Sequence, residues 1–139
     1  MKTLKSLLAG ITLLFVCVAV NAKPANLKET KDDVIKTYID DITKGKISDL
    51  NTIFDDDLEF DMQRGDNVNT WNKGQLLDYL KNNATADPSV KTTTTVTQDG
   101  DEASVVKVEF KYDSYTRIDT INLAHTDGWK IIKIKSEFK

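Results

Sequence analysis

The chain has 139 residues, with 22 acidic and 19 basic side chains, a net charge of −3, one cysteine and one histidine. A mildly acidic chain without a Lys/Arg cluster is a poor candidate for gripping nucleic-acid phosphates. One cysteine rules out an intrachain disulfide framework, and a lone histidine beside it makes a transition-metal centre improbable, so no metal and no cofactor are expected.

The first 22 residues read as an export signal rather than as structure. Lys2 and Lys5 precede an apolar run over 7–20, and Val20-Asn21-Ala22 fits a small-residue cleavage site. The run is short for a membrane span, so no stable anchor is expected. The rival reading is lipidation at Cys17, against which the bulky Phe15 and Val16 count. We therefore divide the chain into a signal peptide, 1–22, and one domain, 23–139, exported to the periplasm or secreted. Cleavage would remove two lysines, no acid and the only cysteine.

Leu27, Val34, Ile35, Tyr38, Ile39 and Ile42 recur at helical spacing. Either Asn26 with Glu29 or Thr30 with Asp33 supplies a capping box, and Gly45 supplies a left-handed stop. Ser48 is placed to cap a second, short helix through Leu50 and Ile53. From Phe54 the period changes to two, with Phe54, Leu58, Phe60 and Met62 alternating with acids and Asp56 breaking the pattern. Arg64-Gly65-Asp66-Asn67 reads as a turn, 68–71 as a partner strand, and Asn72 with Gln75 as the cap of a third helix through Leu80.

From Ser89 onward the chain reads as a meander of four long strands. Asp99-Gly100 and Asp127-Gly128 are hairpin signals of the type I′ kind, and Tyr112-Asp113-Ser114-Tyr115 is a polar break between them. Val106, Val108, Phe110 and Tyr112 share one face; Lys107, Glu109 and Lys111 share the other. Ile131 and Ile132 stand side by side, which predicts either two partly covered faces or a bulge. The upstream helices are expected to cover the concave face. The convex face, with Lys107, Glu109, Lys111 and the threonines of 92–97, is then free for a homodimer contact.

Asp119 shares its strand face with Arg117, Ile121 and Leu123, so an inward-facing apolar surface carries a carboxylate. A buried acid of this kind serves as a general base, or is a structural group held by Arg117 or by the Tyr38 hydroxyl. Tyr38 is a donor into a cavity or a core residue with its tip satisfied. Trp71 and Trp129 line a ligand pocket or pack in the core. The stripe Asp55, Asp57, Glu59 and Asp61 lacks the glycine of a calcium loop and reads as a solvated strand face.

Three stretches carry a resemblance to a known family. Residues 34–54, VIKTYIDDITKGKISDLNTIF, hold a tyrosine-bearing helix, a glycine, then Asp-Leu before Phe and an acidic strand. Residues 100–108 and 117–123 hold a strand pair ending in an Asp-x-x-x-Leu pattern, Asp119 to Leu123, and DGWKIIK closes the sheet at 127–133. In this order they resemble the nuclear transport factor 2-like superfamily, and within it the SnoaL-like and lumazine-binding bacterial proteins. The resemblance implies an α+β, cystatin-like cone, a curved antiparallel sheet with N-terminal helices on its concave face. A pocket-forming fold without a convincing catalytic set points to a non-catalytic domain binding a small molecule in the cone or a protein on the open sheet, as a homodimer. The alternative is an isomerase, cyclase or dehydratase with Asp119 as general base. Tyr38, Trp71 and Arg117 are the candidate ligand-binding residues.

Overall fold

The computed structural model describes residues 29–139. The expected signal peptide, with Cys17, and the candidate helix residues Asn26 and Leu27 lie outside the described residues. Three helices and six strands follow in the order α1 (Lys31–Lys44), α2 (Leu50–Ile53), β1 (Phe54–Arg64), β2 (Asn67–Asn72), α3 (Lys73–Asn83), β3 (Lys91–Asp99), β4 (Ala103–Lys111), β5 (Thr116–His125) and β6 (Trp129–Phe138). The strands form one curved, unclosed sheet in the order β2-β1-β6-β5-β4-β3, with the helices before and between them, an α+β cone. All neighbours are antiparallel except β1 and β6, which run parallel.

α1 starts where the second of its two candidate caps places it. The Asp33 amide donates to Thr30 Oγ1 at 3.2 Å and the Thr30 amide donates back to Asp33 Oδ2 at 3.0 Å. It stops at Gly45, whose φ of 69° is left-handed and whose N–H bonds the Asp41 carbonyl. A Cβ on Gly45 would lie 3.0 Å from the Ala86 amide, so glycine is also required there by the passing 84–87 segment. α1 buries Val34, Ile35, Tyr38 and Asp41. Ser48 does not cap α2; the N-cap is Asp49 without a side-chain bond, and the Asp49 amide donates instead to Asp41 Oδ2. α3 begins at the expected box, with Gln75 N–H on Asn72 Oδ1 at 2.9 Å and the reciprocal bond at 3.0 Å.

Two irregularities flagged in the sequence are bulges. Between Phe54 and Glu59, β1 takes five steps while β6 takes two, from Ile131 to Lys133. Asp56 falls in that bulge, exposed and paired to Lys73 at 3.1 Å. Ile132 is the extra residue opposite the Asn122/Leu123 step, so Ile131 is buried while Ile132 is 37% exposed.

The hairpin turns differ from the type I′ expectation. Among the described residues no non-glycine residue has positive φ, and Gly100 does not either. Gly100 is needed for another reason, because a Cβ there would meet the Ala103 carbonyl at 2.8 Å. His125 pairs with Trp129, so the last hairpin has the three-residue loop Thr126-Asp127-Gly128, with only Gly128 left-handed.

The meander faces as the alternation predicts, with Val106, Val108 and Phe110 buried and Lys107, Glu109 and Lys111 exposed. The helical cover differs from expectation. α3 packs on β1 and β2, and all nine residues of β3 are exposed. Thr92, Thr94 and Val96, opposite Phe110, Val108 and Val106, therefore belong to an uncovered inner edge.

Candidate functional site

The inner face of β5 carries Arg117, Asp119, Ile121 and Leu123, and the register sets Asp119 between Val108 of β4 and Ser136 of β6. α1 lays Tyr38 over this point, with its ring against Phe54 and Phe110. Four groups meet there. Asp119 Oδ2 accepts from the Tyr38 hydroxyl at 2.7 Å and from Arg117 Nη2 at 2.7 Å. Asp119 Oδ1 accepts from Arg117 Nε at 2.8 Å and from the Ser136 hydroxyl. Arg117 Nη2 also donates to the Tyr38 oxygen at 3.0 Å. The carboxylate is fully enclosed and its acceptor capacity is taken up.

Burial is affordable here only because the charges are matched. Burial pushes the Tyr38 phenol well above its usual range, and the adjacent Asp119 carboxylate pushes the same way. Burial alone would lower the Arg117 guanidinium, but the facing Asp119 carboxylate and Tyr38 outweigh it and raise its pKa. Arg117 also sits over the Phe110 ring at 5.4 Å.

Only one edge of this network is open. Every buried side-chain nitrogen and oxygen among the described residues has a partner, and Arg117 Nη1 bonds to none of them. Nη1 is thus accessible, and Arg117 lines a cavity of about 450 Å³ between the end of α1, the end of α3 and the β4–β5 turn. One wall is aromatic. Tyr112 and Tyr115 stack at 4.6 Å and 19°, Tyr115 packs on Phe138 at 5.9 Å, and Arg64 covers Phe138 at 5.0 Å. Asp41 lies on the opposite wall, its carboxyl pushed up by burial and by Asp49 nearby. A second cavity, about 410 Å³, lies between α1 and the β3–β4 edge, lined by Ile35, Ile39, Val96 and Val106.

The four sequence candidates therefore separate. Arg117 lines the larger cavity; Asp119 and Tyr38 stand behind it and line neither cavity. Trp71 also lines neither, being stacked on Phe60 at 5.7 Å and against Tyr79 at 4.8 Å. Trp129 is half-buried, with Lys31 over its ring and His125 at its edge. Glu59 and Asp61 of the acidic stripe are engaged by Lys133 at 2.8 and 3.5 Å. Ser136 was not among the sequence candidates, although its alternation with Ile134 placed it on the inner face. The Tyr112–Tyr115 stretch was read as a polar break between strands, with Tyr112 on the inner face, and not as a cavity wall.

The family described as "Putative lumazine-binding" matches residues 27–135. No curated protein matches the chain. Among solved structures, similarity extends to an NTF2-like protein of unknown function from Shewanella baltica OS155, at 15% identity over 78% of this chain and 90% of that one, TM-score 0.69. An NTF2-like protein "of unknown function in nutrient uptake" from Rhodospirillum rubrum is similar at 19% identity over 80% and 99%, TM-score 0.64. A "putative ketosteroid isomerase" from Parabacteroides distasonis is similar at 16% identity over 86% and 96%, TM-score 0.62. At these identities the likeness shows the fold.

Proposed function

The chain belongs to the family described as "Putative lumazine-binding", with the nuclear transport factor 2-like fold, and from that membership we propose that it is an exported, non-catalytic domain holding a small molecule in the cavity floored by Arg117. One observation carries the reading. The 450 Å³ cavity is of ligand size and presents the free edge of a guanidinium fixed on its other edge by Asp119 and Tyr38. A donor locked in this way binds without first being ordered.

The enzymatic alternative requires Asp119 to reach a substrate and take a proton. Its four hydrogen bonds and complete enclosure, with Arg117 between it and the cavity, favour a positioning role. Neither nucleic acid nor a membrane is needed by this reading. Among the described residues no helix is long and apolar enough to cross a membrane.

Native mass spectrometry of protein purified from its own host tests the proposal. The expected result is a non-protein mass on the wild type that is lost in Leu80→Trp, which fills the cavity from α3. A bound mass unaffected by that variant, in protein that melts as a single folded species, overturns the assignment to this cavity.

A further inference from the structure

Two carboxylates are buried among the described residues, Asp119 and Asp41, and their partners differ. Asp119 accepts four hydrogen bonds, two of them from the Arg117 guanidinium. Asp41 follows Val34 and Tyr38 at helical spacing on α1, so the helix period carries it inward with them. It is 3% exposed, and its side chain accepts one hydrogen bond among the described residues, from the Asp49 amide to Oδ2 at 3.3 Å. Every fully enclosed side-chain oxygen among those residues has a partner, and Oδ1 bonds to none, so Oδ1 opens into the cavity that Asp41 lines. A carboxylate has room for about four hydrogen bonds, and this one has lost its water for a single long one.

The surroundings leave Asp41 without a counter-charge. Burial pushes its carboxyl up, and Asp49 and Asp40 push the same way; Lys46 and the Asp49 amide pull it down, but Lys46 makes no ion pair with it. The wider lining has the same sign. The Arg117 charge is cancelled from behind by Asp119. That leaves Lys46 and Arg64 against Asp41, Asp87 and Asp113, two cations against three acids. A ligand anion would meet this excess, and an uncharged ligand would leave Asp41 unmatched. A cation supplies the missing partner. The opposite wall admits it, since the faces of Tyr112 and Tyr115 attract positive charge. Resting on the small-molecule reading above, we infer that the ligand is an organic cation, a protonated amine whose ammonium sits on Asp41 Oδ1 and whose apolar body lies toward the two tyrosines. The name of the family implies no such charge.

Benzylamine, benzyl alcohol and benzoate are close in size and differ in charge at neutral pH. Each is titrated into isotope-labelled protein and followed by amide chemical shifts. Benzylamine is expected to bind about tenfold more tightly than benzyl alcohol, and benzoate more weakly than either, with the amine's shifts centred on the Asp41 and Asp49 amides. Asp41→Asn keeps an oxygen for the Asp49 amide and removes the charge, so it should bring benzylamine down to the level of the alcohol. Where that variant fails to fold, the order of the three probes and the position of the shifts in the wild type decide alone. Equal binding of amine and alcohol, tighter benzoate, or an amine preference that survives in Asp41→Asn overturns the inference and leaves the small-molecule reading standing. Binding that maps to the α1–β3 groove overturns both. An absence of shifts with all three probes overturns the inference, and the Leu80→Trp comparison then decides the reading beneath it.

Discussion

Arg117 grips Asp119 from two residues up the same strand face, with Nε on one carboxylate oxygen at 2.8 Å and Nη2 on the other at 2.7 Å. The Asp119 side chain is fully buried and that of Arg117 is 14% exposed, so the carboxylate cannot fall back on water and the guanidinium can do so only at its cavity edge. Removing one leaves an uncompensated buried charge. Arg117→Met is expected to cost about 3–5 kcal/mol in urea denaturation, and Asp119→Leu a similar amount. The double variant should cost clearly less than the two singles added together, because each single exposes the other's desolvation. Additive costs would mean that the pair is not a coupled unit.

Tyr38 gives the same network an alkaline signature. Its folded pKa is raised well above the ordinary tyrosine value of 10.0, by burial first and by Asp119 second. The sign follows from linkage. Below the unfolded value both states hold the proton and stability is unaffected. Above it the unfolded chain releases the proton while the folded chain retains it, so stability falls by about 1.4 kcal/mol per pH unit until the folded value is reached. Tyr38→Phe should be less stable at neutral pH yet show a shallower decline above pH 10. Parallel stability curves for the two proteins would contradict this.

The alternation of residues 54–62 and 106–112, the two capping boxes and the bulge at Ile132 were all legible, because each is a local pattern of side-chain type. Asp119 was also legible, as a carboxylate on an apolar face. What it bonds to was open between Arg117 and Tyr38, and the structure uses both, with Ser136 as well. The cavity was not legible. It is assembled from the ends of α1, α3, β1 and β6 and a turn, which only the parallel seating of β1 against β6 brings together. The uncovered β3 edge escaped for a similar reason, since helix count does not say which strands the helices reach.

Trp129 illustrates how position tempers residue type. A closing-strand tryptophan reads as core, but this one is half-buried and capped by the Lys31 ammonium 5.0 Å from its ring. Trp129→Ala is therefore expected to cost about 1–2 kcal/mol, against about 3–5 kcal/mol for Phe110→Ala at a fully buried site. Lys107→Ala, exposed on the outer face, should stay within about 0.5 kcal/mol. Chemical denaturation ranks the three.

Export is testable without any structure. Intact mass of the protein recovered from its host should correspond to a chain beginning at Lys23. A lipid-modified chain beginning at Cys17 would overturn the proposed cleavage after Ala22 and make the domain an anchored one.

The outer face of the sheet makes an assembly prediction. Its centre is already satisfied within one chain, by Lys133 on Glu59 and Asp61 and by Lys135 on Glu137. Toward the β3 edge the pattern changes. Lys107, Glu109 and Lys111 are exposed and make no ion pair among the described residues, and they stand beside Thr93 and Thr95 on the same face. A two-fold axis through this region would set the patch against itself, letting Lys107 of each chain meet Glu109 of the other. Such a contact is polar and moderate in size, so it should be sensitive to screening. We expect a homodimer by sedimentation at low salt that loosens at high salt and in Glu109→Lys, while Lys133→Glu, which disturbs only pairs within one chain, leaves it in place. A monomer at high micromolar concentration in low salt removes the dimer, and leaves this face as solvated surface beside the open β3 edge.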